Sequence, residues 1–156
     1  MINRILVPLD GSDLAEGVLP HVKDLAKQLH GKVHLIRVLD FVSQEVMAFS
    51  MGATATTEVV EEIERKDREE AEGYLSQVAG RLAAEGLEVS WEVVEGTAAG
   101  EIVDLAHTGS ADLIAMSTHG RSGLSRVIFG SVAAKVVREV GIPVMLIKPA
   151  WKMDEE

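Results

Sequence analysis

Ser117-Thr118-His119-Gly120-Arg121-Ser122-Gly123-Leu124-Ser125-Arg126-Val127-Ile128-Phe129-Gly130-Ser131 is the stretch that decides how this chain reads. A short apolar run, Leu113-Ile114-Ala115-Met116, precedes it and reads as a buried strand. Val132 to Val140 follows it and reads as a helix. A glycine-rich loop that feeds a helix N-terminus presents unpaired backbone N–H groups. The helix dipole adds roughly half a positive charge at the same point. An anion suits such a place, so phosphate is the first ligand to consider and a nucleotide the first molecule.

Outward from this loop, apolar runs alternate with helical periods. Ile5-Leu6-Val7 with Leu9 reads as a first strand, and Val33 to Leu39 as a second. Between them, Leu14, Val18, Val22, Leu25 and Leu29 recur at steps of three and four. Asp13 is the expected N-cap of that helix, with Glu16 completing a capping box, and Gly31 is its expected C′ residue. Pro20 lies inside it and predicts a bend or a short first segment. Residues 41–57 show no clear period and read as a loop.

A long helix is expected from about Thr57 to Glu85, with a charged first half and an apolar face of Ala71, Tyr74/Leu75, Val78 and Leu82. The charge run reads as a solvated face rather than a binding tail. Val89–Val94 is the third expected strand, and Thr97 caps a short helix through about His107. Asp112–Met116 is the fourth strand and Val144–Ile147 the fifth. Strands alternating with helices predict parallel pairing and right-handed crossovers. The expected fold is therefore α/β, an open Rossmann-like five-stranded parallel sheet with helices on both faces, formed as one domain over residues 1–156. Ligands on such sheets bind at the carboxyl ends of the strands, near the point where strand order reverses. That rule groups Pro8-Leu9-Asp10, Val38-Leu39-Asp40, Gly96-Thr97 and the 117–131 loop.

Composition narrows the classes. The chain has 47% apolar and 26% charged residues, which argues for a folded domain and against disorder. It has no cysteine, which excludes a disulfide framework and a thiolate metal site and fits a cytoplasmic protein. No apolar run approaches the ~18 residues of a membrane span, and no signal peptide is expected. The net charge of −10 should repel a nucleic-acid backbone, so neither nucleic acid nor membrane is an expected partner. From Ser117 to Lys148, however, five basic residues face a single acid, Glu139. That segment is net +4 and suits a small anionic ligand, although a charge fluctuation on a solvated face reads equally well.

Four segments together resemble the universal stress protein family over essentially the whole chain: Ile5 to Ser12, Val33 to Asp40, Thr118 to Gly123, and Gly130 to Ala133 leading to Ile142-Pro143-Val144. The resemblance implies a homodimer through the last strand and a role in stress tolerance. ATP-binding members of that family carry Gly-x2-Gly-x9-Gly-Ser/Thr. Here Gly120 and Gly130 match with nine residues between them, Ser131 follows, and Ser117 stands at the first glycine position. If the backbone φ there is positive, serine is strained by about 1 kcal/mol or more; if negative, serine is accommodated. Carried over by position, the resemblance implies that Asp10 holds the ribose hydroxyls or the adenine amino edge. Pro8, Leu9 and Val38 would line the adenine slot. Met116, Ser117 and Gly120 would run along the ribose and α-phosphate, and Gly130, Ser131 and Val132 would cradle the outer phosphates.

Each residue also has a plainer reading. Asp10 can cap the turn into the first helix with Gly11 and Ser12; Ser131 can be a simple N-cap; Arg121 and Arg126 can touch phosphate or be solvated; Met116 can be core. No dinucleotide fingerprint, phosphate-loop lysine or nucleophile elbow is present, and the five histidines lack metal-ligand spacing. The expectation is a nucleotide-binding regulatory homodimer that takes ATP or AMP, with magnesium carried by the nucleotide, at most slow ATP hydrolysis, and an unknown protein partner. The alternative is a dimeric interaction protein of the same fold that does not bind nucleotide.

Overall fold

The computed structural model describes residues 1–50, 52, 56–118 and 130–148. The elements in chain order are β1 (Arg4–Pro8), α1 (Asp13–Glu16), α2 (Leu19–Leu29), β2 (Lys32–Leu39), α3 (Phe41–Ser50), α4 (Thr57–Ala84), β3 (Val89–Glu95), α5 (Ala98–His107), β4 (Leu113–Ser117), α6 (Ser131–Glu139) and β5 (Val144–Ile147). The five strands form one sheet in the order β3-β2-β1-β4-β5, and every pairing is parallel. Strand order reverses between β1 and β4, because β1, β2 and β3 run toward one edge while β4 and β5 run toward the other.

Both faces of the sheet are covered, as expected from strands that read as near-continuous apolar runs. On one face Ile5, Val7, Leu35 and Ala115 pack against Val22 and Ala26 of α2 and Leu75, Val78 and Leu82 of α4. On the other, Leu6, Ile36, Ile114 and Met116 pack against Ile102 and Ala106 of α5 and Ala133 and Val136 of α6. Alternation along each strand thus sends successive side chains into two separate cores. Each fully buried aliphatic contributes about 1.5–3 kcal/mol.

Pro20 acts as predicted. It falls in the first turn of α2, where its missing N–H costs nothing, and α1 becomes a separate four-residue turn. The cap of α1 differs from expectation: Ser12 accepts the Ala15 N–H at 3.1 Å, so Ser12 and not Asp13 is the N-cap. The cause lies upstream, where Asp10 Oδ1 holds both the Ser12 N–H (2.9 Å) and its hydroxyl. At the end of α2 the left-handed residue is His30 (φ 53°), and Gly31 sits one residue beyond it, beside the Asn3 carbonyl.

Residues 41–57, expected as a loop, hold α3 instead. Val42, Val46 and Phe49 recur at helical spacing, but their stripe faces solvent and not the core. α4 begins as predicted, capped by Thr56, whose hydroxyl accepts the Val59 N–H. β4 runs one residue further than expected and includes Ser117.

Candidate functional site

The C-terminal ends of β1, β2 and β4 and the N-termini of α5 and α6 surround one cavity of about 270 Å³. It lies where strand order reverses. The sequence-predicted residues Pro8, Leu9, Asp10, Val38, Met116, Ser117, Gly130, Ser131 and Val132 all line it. Gly120 and Arg121 lie outside the described residues, as does Arg126. Sequence reading missed the wall formed by Ala98 and Ile102, and also Thr118. The signal was available for Ile102, because the apolar face of the helix after Thr97 turns toward the second core.

The floor and the mouth differ in chemistry. Ile36, Ile102 and Met116 are buried and supply an apolar base. Asp10 stands at the rim and serves its own loop, as its plainer reading proposed: it fastens Ser12 and so shapes the β1–α1 turn. Gly11, in the left-handed region at φ 87°, lets that turn close. A Cβ on Gly11 would meet the Arg37 guanidinium at 2.4 Å. Arg37 in turn lies over the Tyr74 ring, 5.5 Å from its centroid. The Tyr74 hydroxyl donates to Glu16 (3.0 Å), which also accepts from Arg81 (2.7 Å). Burial first, and then the Glu16 carboxylate, push the Tyr74 phenol above its ordinary value, so it stays a donor. This chain of contacts ties the rim to α4.

The N-terminus of α6 forms another side of the cavity. Its N-cap is Gly130, not Ser131, and no side chain among the described residues caps it. Gly130 itself donates its N–H to the Thr118 carbonyl at 2.8 Å, so that amide is spent within the loop. The first helical bond at this end is Ala134 N–H to the Gly130 carbonyl (2.9 Å). The amides of Ser131, Val132 and Ala133 therefore precede the first intrahelical bond, on residues that line the cavity. Gly130 brings these amides close to β4 because a Cβ there would stand 2.7 Å from the Thr118 carbonyl oxygen.

Ser117 completes this end. Among the described non-glycine residues only His30 has a positive φ, so Ser117 carries no left-handed strain. Its side chain is almost entirely buried, and among the described residues its Oγ has no hydrogen-bond partner. A buried hydroxyl without a partner costs about 1–3 kcal/mol. Such groups are rare in native proteins, and each one calls for a physical reason. No group of three or more histidines or carboxylates is arranged to hold a metal ion among the described residues. No helix among them is long and apolar enough to cross a membrane.

Comparison with known proteins agrees with this architecture. A family model described as the universal stress protein family matches residues 1–148. Universal stress protein MJ0531 of Methanocaldococcus jannaschii is 34% identical over 152 residues, which span 97% of this chain and 85% of that protein. The solved structure of protein MJ0577, from the same organism, superposes with a TM-score of 0.82 at 30% identity, covering 97% of this chain and 99% of that one. A universal stress protein structure from Archaeoglobus fulgidus, in complex with dAMP, shares the fold at a TM-score of 0.64 and 23% identity, covering 95% of this chain and 98% of its own.

Proposed function

The chain belongs to the universal stress protein family, and from that premise we propose that it is an adenine-nucleotide-binding regulatory module that works as a homodimer. One observation carries the reading: an uncapped helix N-terminus and a buried, unpartnered serine hydroxyl meet at the reversal point of a parallel sheet. Pro8, Leu9 and Val38 form the adenine slot, and Asp10 faces the ribose. The amides of Ser131 and Val132, with the Ser131 hydroxyl, take the phosphates. The Ser117 hydroxyl gains its missing partner from the bound nucleotide after a change of χ1 rotamer. Magnesium enters with ATP, held by phosphate oxygens and water. The complex of the Archaeoglobus fulgidus protein with dAMP supports an adenine mononucleotide as the ligand class.

The dimer forms through β5. This four-residue strand is a sheet edge with half-buried apolar side chains, and exposed edges invite pairing. Isothermal titration of the purified protein with ATP and with AMP, each with and without magnesium, tests the ligand. Saturable heat at micromolar to millimolar nucleotide is expected; no heat at millimolar ATP overturns the reading. Light scattering at micromolar protein tests the assembly, with a monomer mass counting against the dimer.

A further inference from the structure

Nine large apolar side chains are exposed among the described residues, and five of them lie on α3 and the first turns of α4: Val42, Val46, Phe49, Val59 and Ile63. Phe49 is 84% exposed and Val42 72%. Of these five, Phe49 and Ile63 line one common groove, and apolar exposure concentrated in a groove marks a binding surface. Between the two helices runs a groove of about 340 Å³, whose apolar lining includes Phe41, Phe49, Val60 and Ile63. Two carboxylates, Glu45 and Glu64, line the same groove. Glu61, on α4, adds negative charge beside Glu64. The nearby arginines are committed elsewhere, Arg65 to Glu62 and Arg68 to Glu95.

We propose that this groove docks the apolar face of a basic amphipathic helix from a partner protein. A helix laid in a groove offers apolar anchors at i, i+3/i+4 and i+7, and a ten-residue wall such as α3 is about 15 Å long, enough for about three turns. Charge selects the occupant. Burial, then the charge of the neighbouring Glu45 and a hydrogen bond shared with it, with Glu95 and Glu61 beyond, hold the Glu64 carboxyl above its ordinary value, so repulsion between acids is already present at the groove. A lysine or arginine on the incoming helix relieves that repulsion. A second copy of this chain does not: a two-fold contact would bring the same acidic rim against itself. An anionic membrane surface is repelled by the same rim and by the net charge of −10. The groove shares no lining residue with the cavity at the strand ends.

The test uses a labelled, amidated peptide of leucine and lysine, with leucine at helical spacing, titrated by fluorescence anisotropy. A scrambled peptide of the same composition is the control. The patterned peptide is expected to bind at least tenfold more tightly than the scrambled one. Phe49→Asp and, separately, Ile63→Asp should each weaken it at least tenfold, and the Glu45→Lys/Glu64→Lys pair should weaken it and flatten its salt dependence. Both apolar positions are substantially exposed, so the melting temperatures of these variants should match wild type. Equal binding of the two peptides, absence of binding by the patterned one, or binding indifferent to both Asp substitutions overturns the proposal. A fall in oligomer mass on Phe49→Asp also overturns it, because the groove then belongs to a contact between copies.

Discussion

Gly130→Ala isolates the contact that brings α6 to the cavity. The backbone at Gly130 (φ −59°, ψ 154°) is open to any residue, so alanine meets no torsional objection there. The obstacle is steric. An alanine Cβ lands 2.7 Å from the Thr118 carbonyl oxygen, a backbone atom that no rotamer change can move aside. That carbonyl is also the acceptor for the Gly130 N–H at 2.8 Å, so relief of the clash stretches this bond. Overpacking costs about 1–3 kcal/mol, and the weakened hydrogen bond about 1 kcal/mol. Reduced freedom of the unfolded chain returns about 0.4–1 kcal/mol. The net loss is about 1–3 kcal/mol, which for a chain of 156 residues corresponds to a fall in Tm of roughly 3–10 °C. Differential scanning calorimetry measures it, and ATP titration of the same variant should show affinity reduced at least tenfold as the α6 amides shift. Gly73→Ala is the contrast. Gly73 lies inside α4 with open space around it, and alanine there should raise stability by about 0.5–1 kcal/mol. A Gly130→Ala protein that melts at or above wild type refutes the close-approach reasoning.

Ser117→Ala removes the unpartnered hydroxyl. The ligand-free variant should be more stable by about 1 kcal/mol, roughly 2–4 °C in Tm, while its affinity for ATP falls about fivefold; a lower ligand-free Tm contradicts the burial argument. Asp112 is held below its ordinary carboxylate value of 3.8, first by the Asn3 N–H (3.0 Å), with the Arg4 N–H (2.9 Å) and guanidinium adding to it. A depressed folded value contributes stability that is present above 3.8 and lost as the pH falls through the lower folded value. Urea midpoints of wild type and Asp112→Asn should therefore differ at pH 7 and converge at acid pH, and a constant difference across that range refutes the linkage.

The strands were legible because parallel strands buried on both faces read as short apolar runs, and Ile5–Val7, Leu35–Ile36 and Ile114–Ala115 are such runs. The split of the first helix was legible through Pro20. α3 was not, because sequence reading gives weight to an apolar period when it predicts burial, and the Val42, Val46, Phe49 stripe is left in solvent. The N-cap of α1 was misassigned for a local reason. Ser12 and Asp13 are both competent caps, and only the grip of Asp10 on Ser12 chooses between them. At the cavity, the rule that ligands gather at strand ends found which segments converge. It could not find how the amides are distributed, since the spending of the Gly130 N–H on Thr118 depends on a close approach that no residue type encodes.

The loop's glycine positions answer to different physical demands. At 130 the torsions suit any residue and the requirement is space, because helix and strand touch backbone to backbone. At 117 the residue is the last of β4, paired in register with Ile147 and without positive φ, so neither torsion nor strand pairing requires glycine. A side chain is tolerated at that position, and this chain uses it to set a hydroxyl at the cavity wall. The same serine in place of Gly130 would push the α6 amides away from β4. Serine at the first position and glycine at the last are therefore compatible with the proposed anion-binding arrangement, and the departure from the family's glycine pattern falls where the backbone permits it.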